Sequence, residues 1–229
     1  MVASTLRRRP QLSEEVAGRI RGQIMSGALR PGQFVRIDET AMELGVSATP
    51  VREALVSLRG EGLVEQVPHR GYRVGDLSRE DIDDIFWLQG TIATKLARRA
   101  ARVITALQIE QLTHLNAGLR EAVEQANPDA IESCEFEFHR FINRVAGGSK
   151  LAWFLFGAIR YTPARLYASD PAWGTESVLS HEILIDALRR GDLDAVGEQM
   201  CRQFVDGAER LTAHLERVGL WASPNTVAR

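Results

Sequence analysis

The chain has 229 residues, of which 45% are apolar and 25% are charged, and its formal net charge is −2. These values are typical of a soluble globular protein with one large or two modest domains. No apolar run approaches the ~20 residues that a membrane-spanning helix needs, and the N-terminus lacks the apolar segment of a secretory signal, so we expect a cytoplasmic protein that does not enter a membrane.

Cysteine content and the distribution of charge further limit the kind of protein and the kind of partner that this sequence encodes. Cys134 and Cys201 are too few for a disulfide framework or a cysteine-rich zinc module, so we expect both to be reduced. Residues 1–75 hold 11 Arg and no Lys against 8 acidic side chains, whereas residues 76–229 hold 17 basic and 22 acidic ones. The N-terminal third is therefore the better candidate for contact with an anionic partner.

The first predicted elements are two helices. The first begins at Ser13, its expected cap, and ends at Gly27. Its apolar residues recur every four positions, at Val16, Ile20 and Ile24. The second helix is short and extends from Asp38, its expected N-cap, to Gly45, its expected terminal glycine.

A third helix and a hairpin follow directly. The sequence GVSATPVREALVSLRGEGLV predicts a helix capped by Ser47 or Thr49, with Pro50 in its first turn, where the missing N–H is tolerated. Its apolar stripe consists of Val51, Leu55 and Leu58. The runs LVEQV and YRVGD then predict two strands that flank the turn PHRG. This order of elements is that of a winged helix-turn-helix, a DNA-binding fold.

From Leu77 onward the apolar pattern has a helical period. Helices are predicted at residues 79–101, 106–125, 128–146, 149–168, 175–190 and 193–218. The fold class is therefore mostly α, with an N-terminal winged helix-turn-helix and a C-terminal antiparallel all-α bundle of six to seven helices. The predicted domains are a DNA-binding domain over 1–75, a linker over 76–78 and a helical domain over 79–220.

The third helix has the features of a helix that reads DNA. Its first turn directs backbone N–H groups outward, which suits a phosphate, and Arg52 lies off the apolar stripe, where its fork fits the two acceptors of guanine. An ordinary ion pair needs a carboxylate three or four residues away, and those positions hold Ala, Thr, Leu and Val. In the hairpin turn, His69 and Arg70 lie where a wing meets the minor groove or the DNA backbone, and Gly71 lets the chain turn closely.

Polar side chains recur among the apolar ones of the helical half. Glu135, His139 and Asn143 follow at four-residue steps beside apolar neighbours, while His181 and Gln203 share faces with apolar residues on two other helices. Buried polar groups need partners, and a metal ion or an anionic ligand would satisfy these together. Taken singly, each residue is also explained as a helix-surface group in water.

The segment ETAMELGVSATPVREALVSLRGEGLVEQVPHRGYRV resembles the DNA-binding domain of GntR-type bacterial transcription regulators, and the helical half resembles the ligand-sensing domain called FCD. The resemblance covers about residues 12–218. It implies a homodimer, formed by the helical domain, that binds a palindromic operator and releases it, or changes its grip, when a small metabolite binds. It maps the DNA contacts to Thr49, Arg52, His69 and Gly71.

Two positions depart from the family pattern in the DNA-binding half. Many members carry an arginine where this chain has Asp38, and another where it has Ala48. Both residues of this chain lack a positive charge for phosphate or base contact, so we expect weaker or differently specified binding. Arg36, Arg70 and the arm Arg7–Arg9 are the candidates to compensate.

The resemblance also implies a metal site. Many FCD domains hold a divalent metal ion through an Asp-x-x-x-His pair and two further histidines. Here Glu135 and His139 match the pair, His181 matches the second histidine, and Gln203, a weaker neutral ligand, stands at the third position. The implied cofactor is a divalent transition metal such as Zn, Ni or Mn, bound by Glu135, His139 and His181 with Gln203 or water nearby.

The implied effector is a small molecule, in many relatives a carboxylate that pairs with an arginine of the first bundle helix. Gln89 stands at that position here, and Arg160 is the candidate for an anion contact from another helix. The predicted effector-binding residues are Glu135, His139, Asn143, His181, Gln203 and Arg160.

The predicted function is a bacterial DNA-binding transcription regulator, and a repressor, whose operator binding is modulated by a small metabolite. The alternative is a metal-dependent small-molecule enzyme that uses the Glu/His cluster to activate water. The sequence contains no His-Glu-x-x-His motif, nucleophile elbow or P-loop, so we expect no enzyme and assign no catalytic residue. A third possibility is a helical scaffold whose winged domain binds protein.

Overall fold

The structure is a computed structural model that describes residues 10–221. The chain falls into two compact units. Of the described residues, the first unit comprises 10–78 together with 214–221, and the second comprises Arg79–Ala213. The domain boundaries drawn from the sequence remain predictions, and the first unit differs from them by including residues from His214. Within residues 10–221, no helix is long and apolar enough to cross a bilayer.

The first unit combines helices with a small sheet. Its elements, in chain order, are α1 (Pro10–Met25), β1 (Phe34–Val35), α2 (Ile37–Leu44), α3 (Ala48–Gly60), β2 (Val64–Val67) and β3 (Gly71–Val74). Gly45 ends α2 in the left-handed conformation, with φ of 65°, and its N–H bonds back to the carbonyls of the last turn. This tight turn allows α3 to begin three residues later.

The sheet of the first unit forms the wing. Its strand order is β1-β3-β2, and both pairings are antiparallel. Val64 pairs with Val74 and Val67 pairs with Gly71, so the three residues 68–70 form the hairpin loop. The loop is closed by a hydrogen bond that the Arg70 N–H donates to the Val67 carbonyl, at 3.0 Å.

The core of the first unit lies between α1 and α3. The buried apolar residues of these helices include Val16, Ile20, Ile24, Val51, Leu55 and Leu58. Arg21 is also buried, and its guanidinium donates two hydrogen bonds of 2.7 Å to the carboxylate of Glu61, which follows α3. A buried charge is tolerated where a bidentate partner replaces water, so this pair fixes α1 against the end of the helix that carries Arg52.

The last described residues also pack in the first unit. Arg30 donates a hydrogen bond of 2.6 Å to the carbonyl of Val218, and the indole N–H of Trp221 donates one of 2.6 Å to the carbonyl of Leu77. Leu215 is fully buried. The first unit is therefore completed by a segment that lies more than 130 residues away in sequence.

The second unit is helical. Its elements are α4 (Arg79–Ala101), α5 (Ala106–Glu124), α6 (Pro128–Val145), α7 (Ser149–Ile159), α8 (Ala164–Ala168), α9 (Pro171–Arg190) and α10 (Leu193–Arg217), the last of which ends in the first unit. Local sequence signals start several of these helices. Thr105 and Gln108 form a capping box at α5, while Asn127 and Asp170 cap α6 and α9, each with a proline as the next residue.

The core of the second unit joins the helices that also carry its polar residues. The α5 helix packs against α6 and α9, and α4 packs against α7. Large side chains at the centre of this core include Leu96, Leu112, Phe138, Ile142, Leu184 and Leu188. Because α6 and α9 contribute to the core from both sides, polar residues on their inner faces are held in fixed positions.

The predicted fold class is confirmed, although several helix boundaries in the first unit differ from the prediction. The α1 helix begins at Pro10 rather than Ser13, since proline suits the first helical position. The N-cap of α2 is Arg36, so the assignment of Asp38 was wrong. Strand β1 ends immediately before Arg36, which moves the helix start forward and places Asp38 in the first turn.

One helix predicted in the second unit is interrupted. The segment 149–168 forms α7 and α8, separated by a turn that contains Pro163. Proline lacks the N–H that would continue the helix and clashes with the preceding turn, so a single helix was the wrong prediction. The helix predicted over 175–190 begins four residues earlier, directly after its cap Asp170. Both cysteines carry free thiols.

Candidate functional site

The α3 helix buries one face and exposes the other. Pro50, Val51, Ala54, Leu55 and Leu58 are buried. Thr49 and Arg52 are exposed on the opposite side. Ser47 is the N-cap residue, and among residues 10–221 its hydroxyl accepts no capping hydrogen bond. The N–H groups of the first turn are therefore available to an external acceptor such as a phosphate.

The guanidinium of Arg52 is not occupied by a neighbour. Within the described part of the chain, no hydrogen bond or ion pair involves this side chain. The residues three and four positions away are Ala48, Thr49, Leu55 and Val56, none of which can form an ion pair. An exposed arginine without an internal partner keeps its five donors for an external ligand.

The predicted wing residues lie at the tip of the hairpin. His69 has a φ of 59° and Gly71 has a φ of 99°, so two residues of the turn adopt the left-handed region. His69 and Arg70 are exposed, and the Arg70 guanidinium lies 5.3 Å from the ring centroid of Phe34. This cation–π contact leaves its donors open to water or to a phosphate. Arg36 is also exposed, whereas the arm Arg7–Arg9 lies outside the described residues.

Three of the polar residues predicted in the second unit converge. Glu135 and His139 are one turn apart on α6, and His181 approaches them from α9. The Nε2 atoms of both histidines lie 3.6 Å from Oε2 of Glu135, and the three candidate ligand atoms all fall within 4.8 Å of one another. One carboxylate oxygen and two imidazole nitrogens at this spacing could hold a metal ion.

Neighbouring side chains fix the orientation of this cluster. The amide nitrogen of Asn116 donates to the carbonyl of Val178 at 3.0 Å, which turns its oxygen toward Nδ1 of His181, 3.1 Å away. His181 therefore carries its proton on Nδ1, and the lone pair of Nε2 points toward Glu135. The ring stacks on Phe138 at a centroid distance of 3.7 Å. A second partner that orients a ligand histidine in this way is typical of metal sites.

The charges in the cluster favour a bound cation. Burial lowers the pKa of His181 to about 4, against a partly opposing effect of Glu135, so the ring is neutral near pH 7. Burial raises the pKa of Glu135, but His181, His139 and the hydroxyl of Ser177, which donates to its other oxygen, together lower it below its ordinary value. A carboxylate and a nitrogen lone pair thus face each other across 3.6 Å, and a positive ion would relieve their repulsion.

The other predicted effector residues are less closely connected with this cluster. Gln203 donates from Nε2 to the hydroxyl of Ser180 at 2.9 Å, and its Oε1 is buried without a hydrogen-bond partner among the residues that the structure describes. Asn143 is half-buried and Arg160 is exposed. Gln89 is fully buried, donating to the carbonyl of Ala158 at 2.8 Å and accepting from a threonine hydroxyl. The assignment of these residues to an effector stays a prediction.

Sequence reasoning missed two residues that orient the cluster, Asn116 and Ser177. Asn116 is buried on α5 between the buried Leu112 and Leu119, on one helical face. A lone amide in an apolar stripe is a detectable signal, because a buried polar group needs a partner. Ser177 lies one turn before His181 on α9, but a serine at such a position is too common to indicate a role.

Two family models match the chain. The model of bacterial regulatory proteins of the gntR family matches residues 12–74, and the model of the FCD domain matches residues 84–206. The first range contains α2, α3 and the wing, and the second contains the Glu/His cluster.

Similar proteins span almost the whole chain. The HTH-type transcriptional regulator YdfH of Escherichia coli is 28% identical, covering 97% of this chain and 98% of its own length. The HTH-type transcriptional repressor RspR of E. coli is 27% identical, covering 93% and 94%. A probable D-xylose utilization operon transcriptional repressor of Paenarthrobacter nicotinovorans is 30% identical, covering 90% and 91%.

Solved structures share the fold. The structure of E. coli McbR/YncC aligns with a TM-score of 0.68 at 22% identity, over 89% of this chain and 98% of that one. A transcriptional regulator from Rhodococcus sp. RHA1 aligns with a TM-score of 0.60 at 18% identity, over 88% and 97%. At these identities the likeness concerns the fold alone.

Proposed function

Because the chain belongs to the GntR family of bacterial regulatory proteins and carries an FCD domain, we propose that it represses transcription by binding an operator. A small effector that binds in the helical unit changes the affinity of the protein for this operator. The chain is a DNA-binding transcription regulator and not an enzyme, because its family and its relatives are transcription regulators. RspR and the Paenarthrobacter relative are named repressors, which supports repression rather than activation of transcription. An operator-bound regulator acts in the cytoplasm, where the chromosome is.

The observation that carries DNA binding is the exposed, unengaged face at the start of α3. Thr49 and Arg52 lie on the side of the helix away from its buried stripe. Helices in this position enter the major groove with their N-terminal residues against the base edges. The wing adds His69, Arg70 and Gly71, where a positive side chain and an open backbone suit the minor groove or a phosphate.

Selection of genomic DNA fragments tests this function. Purified full-length protein is incubated with sheared DNA from the source genome at about 150 mM salt, and bound fragments are sequenced. We expect a few enriched fragments that share a two-fold-symmetric motif, because a dimer reads two half-sites about one helical turn apart. Uniform recovery of fragments would mean that binding has no sequence preference, and would contradict the proposal.

We propose a divalent transition metal, such as Zn, Ni or Mn, as the cofactor of the helical unit. Its ligands are Glu135, His139 and His181, a donor set that suits these ions. Asn116 orients His181 for this role, and the orphaned oxygen of Gln203 is a candidate for a hydrogen bond to a water or effector nearby. When bound, the metal supplies a Lewis acid for an effector oxygen.

A carboxylate is the effector class that the charges favour. Glu135 contributes one negative charge, so a divalent ion would leave the site with a net positive charge. Gln89 supplies no positive charge because its amide is neutral, and both ends of that amide already make hydrogen bonds inside the unit. The metal would therefore hold the acid group of the effector in place of an arginine. The Paenarthrobacter relative is named for a D-xylose operon, which supports a hydroxylated metabolite as the rest of the molecule.

The homodimer that the family implies needs a surface, and we assign it to α4 and α7. The α7 helix, SKLAWFLFGAI, is apolar on nearly every side, yet Trp153, Phe154 and Phe156 are 67%, 59% and 56% exposed. Trp87 and Leu88 of the adjacent α4 are exposed as well. A helix that is apolar all round is normally buried, so a second copy is the natural cover for this surface.

Charge along α4 supports an antiparallel arrangement of the two copies. The exposed face of this helix is acidic near its start, with Glu80 and Asp84, and carries Lys95 near its end, and the exposed Arg102 follows directly after the last helical residue. Two α4 helices that cross near Thr91 in opposite directions would bring each acidic half against a basic half. A two-fold interface must be self-complementary, and this pattern fulfils that condition.

A further inference from the structure

An apolar residue lies in the middle of the surface that α3 presents to solvent. Val56 is 50% exposed, although Val51, Leu55 and Leu58 of the same helix are fully buried. Valine is a weaker helix former than alanine, lysine or glutamate, which are the usual choices at exposed helix positions. Its position is therefore explained neither by the core nor by helix stability.

The helical spacing places Val56 between the two residues assigned to DNA. Successive side chains rotate by about 100°, so Val56 projects about 40° from Arg52 and about 20° from Thr49 around the helix axis. It lies one turn beyond Arg52 along the axis. When Arg52 reaches a base edge, the two γ-methyl groups of Val56 would face the floor of the same groove, about one to two base pairs away.

We propose that Val56 is a specificity-determining residue that contacts the C5-methyl group of a thymine in each operator half-site. In the major groove, thymine presents an apolar methyl group, and an apolar side chain is its natural partner. A cytosine at that position would place a bare ring edge against the valine, and a purine would present polar groups without partners. This inference rests on the proposed function, because α3 must be the helix that reads DNA.

The test compares duplexes that differ by one methyl group. An operator is first selected from a random DNA library with the wild-type protein, and each thymine is then replaced singly by deoxyuracil in both half-sites. At one position we expect wild-type binding to weaken about three- to fivefold for each half-site, so roughly 10- to 25-fold for the dimer, as the loss of one buried methyl group in each half-site predicts. Val56→Ala should bind the two duplexes equally, since its side chain no longer reaches the groove floor.

Two further variants keep the test specific. Val56→Thr retains one γ-methyl group and should keep part of the preference for thymine. Val103→Ala removes another exposed valine, from the helical unit, and should behave as wild type. If the library yields no enriched sequence, sequence-specific binding itself fails. If an operator is enriched but every deoxyuracil affects wild type and Val56→Ala alike, the assignment of Val56 is wrong.

Discussion

At the scale of residues, the proposed metal site depends on Glu135, His139 and His181 together, because each offers one ligand atom within the same small space. Removing either histidine should lower the bound metal from near one ion per chain to well below one-fifth, because a two-ligand site loses most of its affinity. Metal content of purified His139→Ala and His181→Ala, measured by inductively coupled plasma mass spectrometry after dialysis, tests this expectation.

An exposed histidine serves as the matched control for the metal measurement. His114 lies on the outer face of α5, so His114→Ala should retain wild-type metal content. Asn116→Leu provides an intermediate case, since it leaves all three ligands in place but removes the acceptor that orients His181, and a 10- to 100-fold loss of affinity is typical of such changes. Equal metal content in wild type and both histidine variants would remove the proposed site.

Residue spacing predicted part of this site. The step from Glu135 to His139 is visible as i, i+4 on one helix, and His181 shares a face with apolar residues on another, while the resemblance to the family identified the three as a ligand set. The contributions of Asn116 and Ser177 depend on how α5 and α9 pack against α6, which no local pattern specifies. Gln203 was placed with the cluster by its helical face and by its position in the family pattern. Its Nε2 donates to the Ser180 hydroxyl, and its place in the site stays a prediction.

At the scale of elements, the exposed aromatic residues of α4 and α7 predict self-association. We expect the wild-type chain to sediment as a dimer at micromolar concentration. Trp87→Glu should shift it to a monomer, because a charge would be buried without a partner in the interface. Leu179→Glu, which alters an exposed apolar residue of α9, is the control and should remain dimeric.

The charge pattern of α4 gives this interface a stricter test. Glu80→Arg should weaken the dimer at low salt, and the combination with Arg102→Glu should restore it, since opposite charges would again face each other. If the dimer is equally stable in the two charge variants and in Trp87→Glu, the interface lies elsewhere on the chain. Analytical ultracentrifugation of the three variants measures all of these outcomes.

The boundaries of the helices and strands show which elements are specified by nearby residues and which depend on contacts with distant ones. The position of α3 was predictable because Gly45, Pro50 and Gly60 punctuate the sequence around an apolar stripe. The two-residue β1 strand was missed, because it has no periodicity of its own and exists through its pairing with β3. The division of 149–168 into two helices could have been read from Pro163, whose ring cannot continue a helix.

At the scale of the whole molecule, the two units differ in charge and in the elements that they contain. Arginine side chains outnumber acidic ones over residues 1–75, where α3 and the wing lie, and acidic side chains outnumber basic ones over residues 76–229. The C-terminal segment from His214 was predicted with the helical domain but packs in the first unit, through contacts such as Arg30 with Val218. Such long-range contacts cannot be read from local patterns.

DNA recognition by α3 is tested most directly at Arg52. Affinity for an enriched genomic fragment is measured by fluorescence anisotropy for wild type, Arg52→Ala and Arg189→Ala, which removes an exposed arginine of α9. We predict that Arg52→Ala loses about 1–3 kcal/mol of binding free energy for each half-site, so at least about 30-fold in the affinity of the dimer, while Arg189→Ala binds as wild type. Unchanged affinity of a folded, dimeric Arg52→Ala protein would contradict the assignment of α3 as the helix that reads the operator.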